Sequence, residues 1–219
     1  MKSGMRSYVV IAVCVVAALL ATKLRSGDSA AAGTFEVSAD TRAGTLSFAP
    51  GVDPADRAWI LAAVQSARPE ARRLIDEIDG MVEVRTDLPT SEAIGLAEMS
   101  RDRAIVSLDV RSLNGERAID RNVVVLHELG HVVDFQLVSD ELVKSLDAQI
   151  PRGGTCDASA MLPTGACTAV EERFADTFAK WALGGRISLA GSGYGIPAPA
   201  SIEDWGRPLG LLAAQLSAR

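Results

Sequence analysis

The spacing of apolar residues divides the chain into two helices, a group of short strands and a second group of helices. Between Asp53 and Gly80 the apolar residues recur at helical intervals. Pro69 interrupts this segment and therefore divides it into two helices. Asp53 is a candidate N-cap, Pro54 suits a first helical turn, and Gly80 is a suitable stop.

Short runs rich in branched apolar residues follow Gly80 and predict strands. These runs cover residues 81–87, 93–99 and 103–110. Ser100-Arg101-Asp102 joins the last two runs and predicts a hairpin. Two shorter runs at 34–40 and 45–49 also predict strands, as an edge element or as part of a propeptide-like segment within residues 33–50.

Helical spacing returns in the second half of the chain. The predicted helices cover residues 116–137, 140–149, 168–185 and 201–216. Gly184 and Gly185 are suitable residues for ending the third of them. Because helices and a small sheet occupy separate parts of the chain, the pattern predicts an α+β fold.

The stretch VVVLHELGHVVD, residues 123–134, places ionisable side chains inside an apolar run of the first of these later helices. His127 and His131 are the only histidines of the chain. Residues four apart lie on one face of a helix, so both imidazoles can bind a single metal ion. Glu128 lies beside them and can act as a general base. This HExxH pattern predicts a catalytic zinc site.

A catalytic zinc site takes a third protein ligand and keeps a fourth position open. Since no histidine remains, carboxylates and cysteines are the candidates. Cys156, Asp157 and Cys167 lie in one loop, and the cysteines are candidates only if they are not bonded to each other. The helix VEERFADTF offers Glu171 and Glu172. We predict that Glu172 is the ligand and that Glu171 is a solvated residue of the first helical turn.

Residues around the predicted ligands indicate close helix packing and one supporting contact. Ala175 and Ala179 share the face of Glu172 and would let this helix approach the histidine helix closely. Asp176, on the same face, is placed to accept a hydrogen bond from the outer ring nitrogen of a histidine ligand. Gly130 costs the histidine helix about 1 kcal/mol relative to alanine. Close approach of a strand or of substrate would offset that cost.

HELGHVVD and the later ERFADTF resemble motifs of the gluzincin metallopeptidases, in particular those of the compact lethal-factor-like branch. The resemblance covers mainly residues 120–183. It implies a zincin-like domain with a small mixed sheet and a central HExxH helix. It also implies one Zn²⁺ bound by His127, His131 and Glu172, with Glu128 as the base.

The resemblance carries two expectations about substrate. Strand 103–110 would be the sheet edge along which an extended peptide pairs as an added strand. Many gluzincins also use a histidine or tyrosine to hold the oxyanion of the reaction. Tyr194 is the only tyrosine after the N-terminal segment and is therefore the candidate. The alternative is that Tyr194 packs on the domain surface.

The N-terminal residues 1–32 have the pattern of an export signal: a basic start, an apolar stretch from Tyr8 to Ala21, and small residues at the end. Lys23 and Arg25 directly follow the apolar stretch, which is unusual for a cleaved signal. The stretch is shorter than the roughly 20 residues that span a bilayer comfortably. A cleaved signal and a short membrane anchor both remain open, with the anchor slightly favoured.

Charge excludes one class of partner for residues 33–219. After subtraction of the four basic residues and one acidic residue of the N-terminal segment, this part holds 18 basic and 27 acidic residues. Such an excess of negative charge disfavours binding to nucleic acid. The composition, 48% hydrophobic and 23% charged, suits one domain with a substantial core.

Cys156 and Cys167 flank a loop rich in small residues and in proline. In an exported chain such a pair most simply forms a disulfide. A metal site is the competing interpretation, but the ten intervening residues do not match the short spacing of a zinc knuckle. Cys14 lies within the N-terminal apolar stretch, where we interpret it as an ordinary apolar position.

These patterns favour an exported zinc metallopeptidase, with a peptide or protein as substrate and a membrane contact only if the N-terminal segment is retained. The expected location is outside the cell or in the cell envelope. One alternative is a domain that binds zinc without proteolysis, and Glu128 argues against it because a structural zinc site needs no base. Another is an anchored scaffolding module with a chance motif, which would bind no stoichiometric metal.

Overall fold

The computed structural model describes residues 12–15, 46–88, 93–115, 120–152, 168–184 and 196–218. The strands are β1 (Ala12–Val15), β2 (Ser47–Phe48), β3 (Val82–Arg85), β4 (Ala93–Met99) and β5 (Ala104–Leu108). The helices are α1 (Pro54–Ser66), α2 (Pro69–Ile78), α3 (Val110–Leu113), α4 (Arg121–Leu137), α5 (Asp140–Asp147), α6 (Val170–Ala182) and α7 (Ile202–Leu216). The fold is therefore mixed, with helices and a small sheet.

Helices α1 and α2 begin at the residues that the sequence indicates. The Asp53 carboxylate accepts a hydrogen bond of 2.7 Å from the Ala55 amide, which caps α1. Pro54 and Pro69 occupy the first turns of α1 and α2, where a missing N–H costs nothing. After α6, Gly184 adopts a positive φ of 68°, as is common at a helix C-terminus.

The strands form one mixed sheet in the order β1-β4-β5-β3-β2. β4 and β5 are antiparallel and form the hairpin predicted through residues 100–102, with a hydrogen bond from the Ser100 amide to the Arg103 carbonyl. β5 pairs with β3, and β3 with β2, in parallel. The parallel pairs are possible because helices or long connections separate those strands along the chain.

Two expectations from the sequence are wrong. Strand 103–110 was expected at the edge of the sheet, but β5 lies between β4 and β3 and both of its sides are paired. Four of its five residues are buried and Ile105 is half-buried, as suits an interior strand. The histidine helix was expected to begin at 116, but α4 begins at Arg121, because the Asp120 carboxylate accepts a hydrogen bond from the Asn122 amide and caps the helix there.

Helix α4 is the central element of the domain. It packs against α1, α2 and α6 and against the hairpin strands β4 and β5. Val125, Leu126, Leu129, Val132 and Val133 are all at most 1% exposed, so both its sheet side and its helix side are core. α7 packs on α2 and α6, and the Trp205 indole donates a hydrogen bond of 3.2 Å to the Leu146 carbonyl. Helix α4 is therefore fixed by packed elements on both its helix side and its sheet side.

Part of the N-terminal apolar stretch forms β1, which pairs antiparallel with β4 and covers its outer edge. Among the residues described, none of the helices combines the length and hydropathy that a bilayer-spanning segment needs. The remainder of the predicted signal or anchor, the predicted strand 34–40, Cys156, Cys167 and Tyr194 lie outside the described residues.

Candidate metal centre

Helix α4 buries all three ionisable residues of its HExxH motif. His127 is 5% exposed, Glu128 is fully buried and His131 is 2% exposed. A buried imidazole or carboxylate is costly unless it has a polar partner or a metal ion. Three such groups within five residues of one helix therefore require compensation at this position.

Helix α6 brings a carboxylate to the two histidines. Glu172 is buried and its carboxylate faces both rings, whereas the preceding Glu171 is exposed at the surface. Successive residues on a helix point about 100° apart, so only one of the two glutamates can face α4. Together His127, His131 and Glu172 form a buried group that could bind a metal ion.

The separations within this group fit a small cation. His127 Nε2 lies 3.1 Å from Glu172 Oε2 and 3.1 Å from His131 Nε2. His131 Nε2 lies 3.5 Å from Glu172 Oε2. In a tetrahedral site with bonds of about 2.0 to 2.1 Å, ligand atoms lie roughly 3.3 to 3.4 Å apart. The three ligand atoms therefore already lie close to the corners of such a site.

Hydrogen bonds from the histidine protons alone would satisfy these three buried atoms poorly. A neutral imidazole has one nitrogen that donates and one that accepts, so a single proton at one Nε2 can be directed at only one neighbour. Here three potential acceptor atoms converge, and one cation at their centre would interact favourably with all of them. Burial raises the pKa of Glu172, but the contacts with His127 and His131 outweigh it and hold that pKa well below its usual range. A lowered pKa agrees with the ionised carboxylate that a metal ligand requires.

Arg173, which the sequence did not single out, anchors the N-terminal turn of α6. Its guanidinium is fully buried and donates to Asp147 Oδ1 at 2.6 Å and to the Ile150 carbonyl at 2.7 Å. Arg152 donates to the second oxygen of Asp147 at 2.8 Å. These bonds tie α6 to the end of α5 directly beside Glu172. The available sequence signal was an arginine early in a helix whose following residues are largely apolar, but the pattern does not reveal its partner Asp147.

Asp176 is buried one turn after Glu172, as its spacing predicts, and its recorded partner is a lysine. Lys180 forms an ion pair with Asp176 and donates a hydrogen bond of 2.5 Å to the Ile196 carbonyl. Within the described part of the chain, His131 Nδ1 has no hydrogen-bond partner. The support of a histidine ring by Asp176 therefore stays a prediction.

β4 passes directly over the Glu128 side chain. Gly95 lies so close that a β-carbon there would come within 2.3 Å of Glu128 Oε1. One face of the hairpin strand β4 is thus in contact with the predicted base. The sequence analysis did not identify Gly95, because a glycine within a strand pattern does not reveal which side chain lies opposite it.

Three comparisons with known proteins found no relative of this chain. Neither the protein-family models, nor the curated proteins, nor the solved structures include a significant match to this chain. The geometry of His127, His131 and Glu172 is therefore the observation from which a function can be inferred.

Proposed function

We propose that this chain is an exported zinc-dependent peptidase, with one Zn²⁺ held by His127, His131 and Glu172. The observation that carries the proposal is the buried convergence of two Nε2 atoms and one carboxylate oxygen, 3.1 to 3.5 Å apart, from two different helices. Two imidazoles and a carboxylate suit zinc among the common metals. Three protein ligands leave a fourth position open, which is typical of catalytic rather than structural zinc.

Glu128 supplies the group that a purely structural site would not need. A zinc ion at this site would act as a Lewis acid toward water and the peptide carbonyl. Glu128 would accept a proton from the attacking water at its carboxylate and transfer it to the departing amine. Its burial on the same helix as both histidines supports this role, because a dry surrounding strengthens electrostatic effects on the reacting atoms.

The sheet suggests where a peptide substrate would lie. β4 is the hairpin strand beside Glu128. Among the described residues, the four residues of β1 cover its outer edge. An extended peptide could pair with that edge by main-chain hydrogen bonds, as an added strand. We therefore propose β4 as the substrate strand instead of β5, because both sides of β5 are paired.

The test combines metal content with peptide cleavage. Purified protein should contain about one zinc per chain and should cleave members of a peptide library, and chelation should abolish cleavage. Glu128→Gln should retain the zinc and lose at least about 100-fold in hydrolysis, because the base is removed while the ligands remain. Stoichiometric zinc without cleavage by the unaltered chain would instead identify a binding domain. Absence of stoichiometric zinc under metal-replete conditions would contradict the site itself.

A further inference from the structure

We infer that Gly95 is a positioning residue for Glu128: the absence of a side chain at this point of β4 leaves the space that the Glu128 carboxylate occupies. The inference rests on the proposed function, in which Glu128 is the base. A β-carbon built at Gly95 would lie 2.3 Å from Oε1 and 2.8 Å from both Cδ and Cγ of Glu128. Real β-carbon atoms essentially never make contacts under 3.0 Å, so one of the two residues would have to move.

The need for glycine at 95 is one of space and not of backbone conformation. Among the described glycines, positive φ angles occur at Gly51 and Gly184, not at Gly95. Glycine in a strand interior is normally unfavourable because it loses more conformational freedom on folding than any other residue. The close contact with Glu128 gives a specific reason for tolerating that cost.

Neither backbone can easily move away from the contact. Gly95 is paired with Leu108 on β5, and β5 is itself fixed between β4 and β3. Glu128 is fully buried on α4, which packs against the hairpin on one side and against α6 on another. The Glu128 side chain is therefore the part that would give. An alanine β-carbon at position 95 would clash with Cγ and Cδ of Glu128 as well as with Oε1. The whole Glu128 side chain would therefore have to adopt another rotamer.

Two other glycines provide matched controls. At Gly80 a β-carbon would meet no atom within 4 Å, so alanine should fit there. At Gly206, on α7, a β-carbon would lie 1.9 Å from the Trp181 indole nitrogen. Gly206→Ala therefore introduces a steric clash that involves neither Glu128 nor the predicted ligands.

The first test is kinetic. Gly95→Ala should retain its zinc and lose at least about 100-fold in kcat with little change in KM, because a displaced base affects the chemical step rather than ground-state binding. In a Glu128→Gln background the same change should cause no further loss, since residues that act as one unit are not additive. A full additional loss in that background, or an unchanged kcat in the single variant, would overturn the inference.

The second test does not depend on activity and uses thermal unfolding of the metal-free chain. Gly95→Ala should lower Tm by several degrees in the unaltered chain. In a Glu128→Ala background it should lower Tm little or raise it, because the obstructing side chain is gone. Gly206→Ala should lower Tm equally in both backgrounds, and Gly80→Ala in neither. An equal loss from Gly95→Ala in both backgrounds would overturn the inference.

The two tests also separate this inference from the proposed function. If Gly95→Ala alone does not fold, the double variant with Glu128→Ala still reports whether the clash is relieved. Coupling in the unfolding experiment without peptide cleavage by the unaltered chain would support the placement of Glu128 by Gly95. That result would remove only the peptidase role.

Discussion

Gly130 of α4 lies directly against Ala175 of α6. A β-carbon at Gly130 would come within 3.2 Å of Ala175 Cα, 3.3 Å of the Ala175 carbonyl oxygen and 3.1 Å of Phe178 Cδ1. The two helices therefore approach each other through small residues, as the sequence pattern of α6 predicted. In the structure the close neighbour of Gly130 is helix α6. The contact brings Glu172, one turn before Ala175, within reach of both histidines.

Gly130→Ala should lower stability and weaken zinc binding. Alanine favours a helix by about 1 kcal/mol over glycine. Two of the three close contacts, however, are to backbone atoms of α6, so the helices must separate by a few tenths of an ångström and Glu172 moves with α6. Gly210→Ala is the matched control, because its β-carbon would make only an ordinary contact of 3.6 Å with Glu70. Thermal unfolding and zinc titration of both variants are the measurements, and a Gly130→Ala chain at least as stable as Gly210→Ala would contradict the packing argument.

Zinc content should distinguish the two neighbouring glutamates of α6. Glu172→Ala, His127→Ala and His131→Ala should each lose zinc, because two remaining ligands hold the ion poorly. Glu171→Ala should retain it, since Glu171 is at the surface. Added zinc should raise the Tm of the Glu171 variant but not of the Glu172 variant, because only a protein that binds the ion when folded is stabilised by it. The reverse result would show that the helix presents the other glutamate to α4.

Local sequence patterns predicted much of this arrangement because they depend on helix and strand periodicity. The spacing of His127 and His131, and the choice of Glu172 over Glu171 to face them, follow from the turn of one helix. The position of β5 did not follow, because strand order is decided by which strands pair across long connections. Arg173 and Gly95 were missed for the same reason: their roles depend on Asp147 and Glu128, which only the tertiary fold brings next to them.

Arg173→Met should destabilise the domain by about 3 kcal/mol. The buried Asp147 carboxylate would keep its hydrogen bond from Arg152 but lose the one from Arg173. The Ile150 carbonyl would lose the guanidinium that donates to it. Arg207→Met is the control, because its ion pair with Asp204 is well exposed and should contribute no more than about 1 kcal/mol. Urea unfolding of the metal-free chains measures both changes. Similar losses in the two variants would show that Arg173 does not anchor α6.

The free energy of unfolding should decrease as pH rises, because the carboxyl group of Asp134 in the last turn of α4 loses its proton. Burial raises the pKa of Asp134 to about 7, and the nearby carboxylates of Glu171 and Asp140 add to the increase. Because the folded pKa exceeds the unfolded value near 4, the contribution is fully present below about pH 4 and is lost as pH rises through 7. Asp134→Asn should remove this dependence and gain on the order of 1 kcal/mol above pH 7 relative to the unaltered chain. Urea unfolding of both chains at several pH values, with chelator present, measures the difference. If the free energies of unfolding of the two chains change with pH in parallel, Asp134 is not the cause.

Removal of residues 1–32 should increase peptide cleavage if β4 is the substrate strand. β1 pairs with β4 from Ala12 opposite Ala97 to Val15 opposite Ala93, which is the edge where an added peptide strand would lie. A substrate must displace those hydrogen bonds, so the truncated chain should show a lower KM, by several-fold, with kcat little changed. Val13→Pro in the full chain should act in the same direction, because proline cannot donate a main-chain hydrogen bond. Equal KM values for the full, truncated and Val13→Pro chains would show that β1 and the substrate do not share this edge. The peptide would then bind at another surface near Glu128.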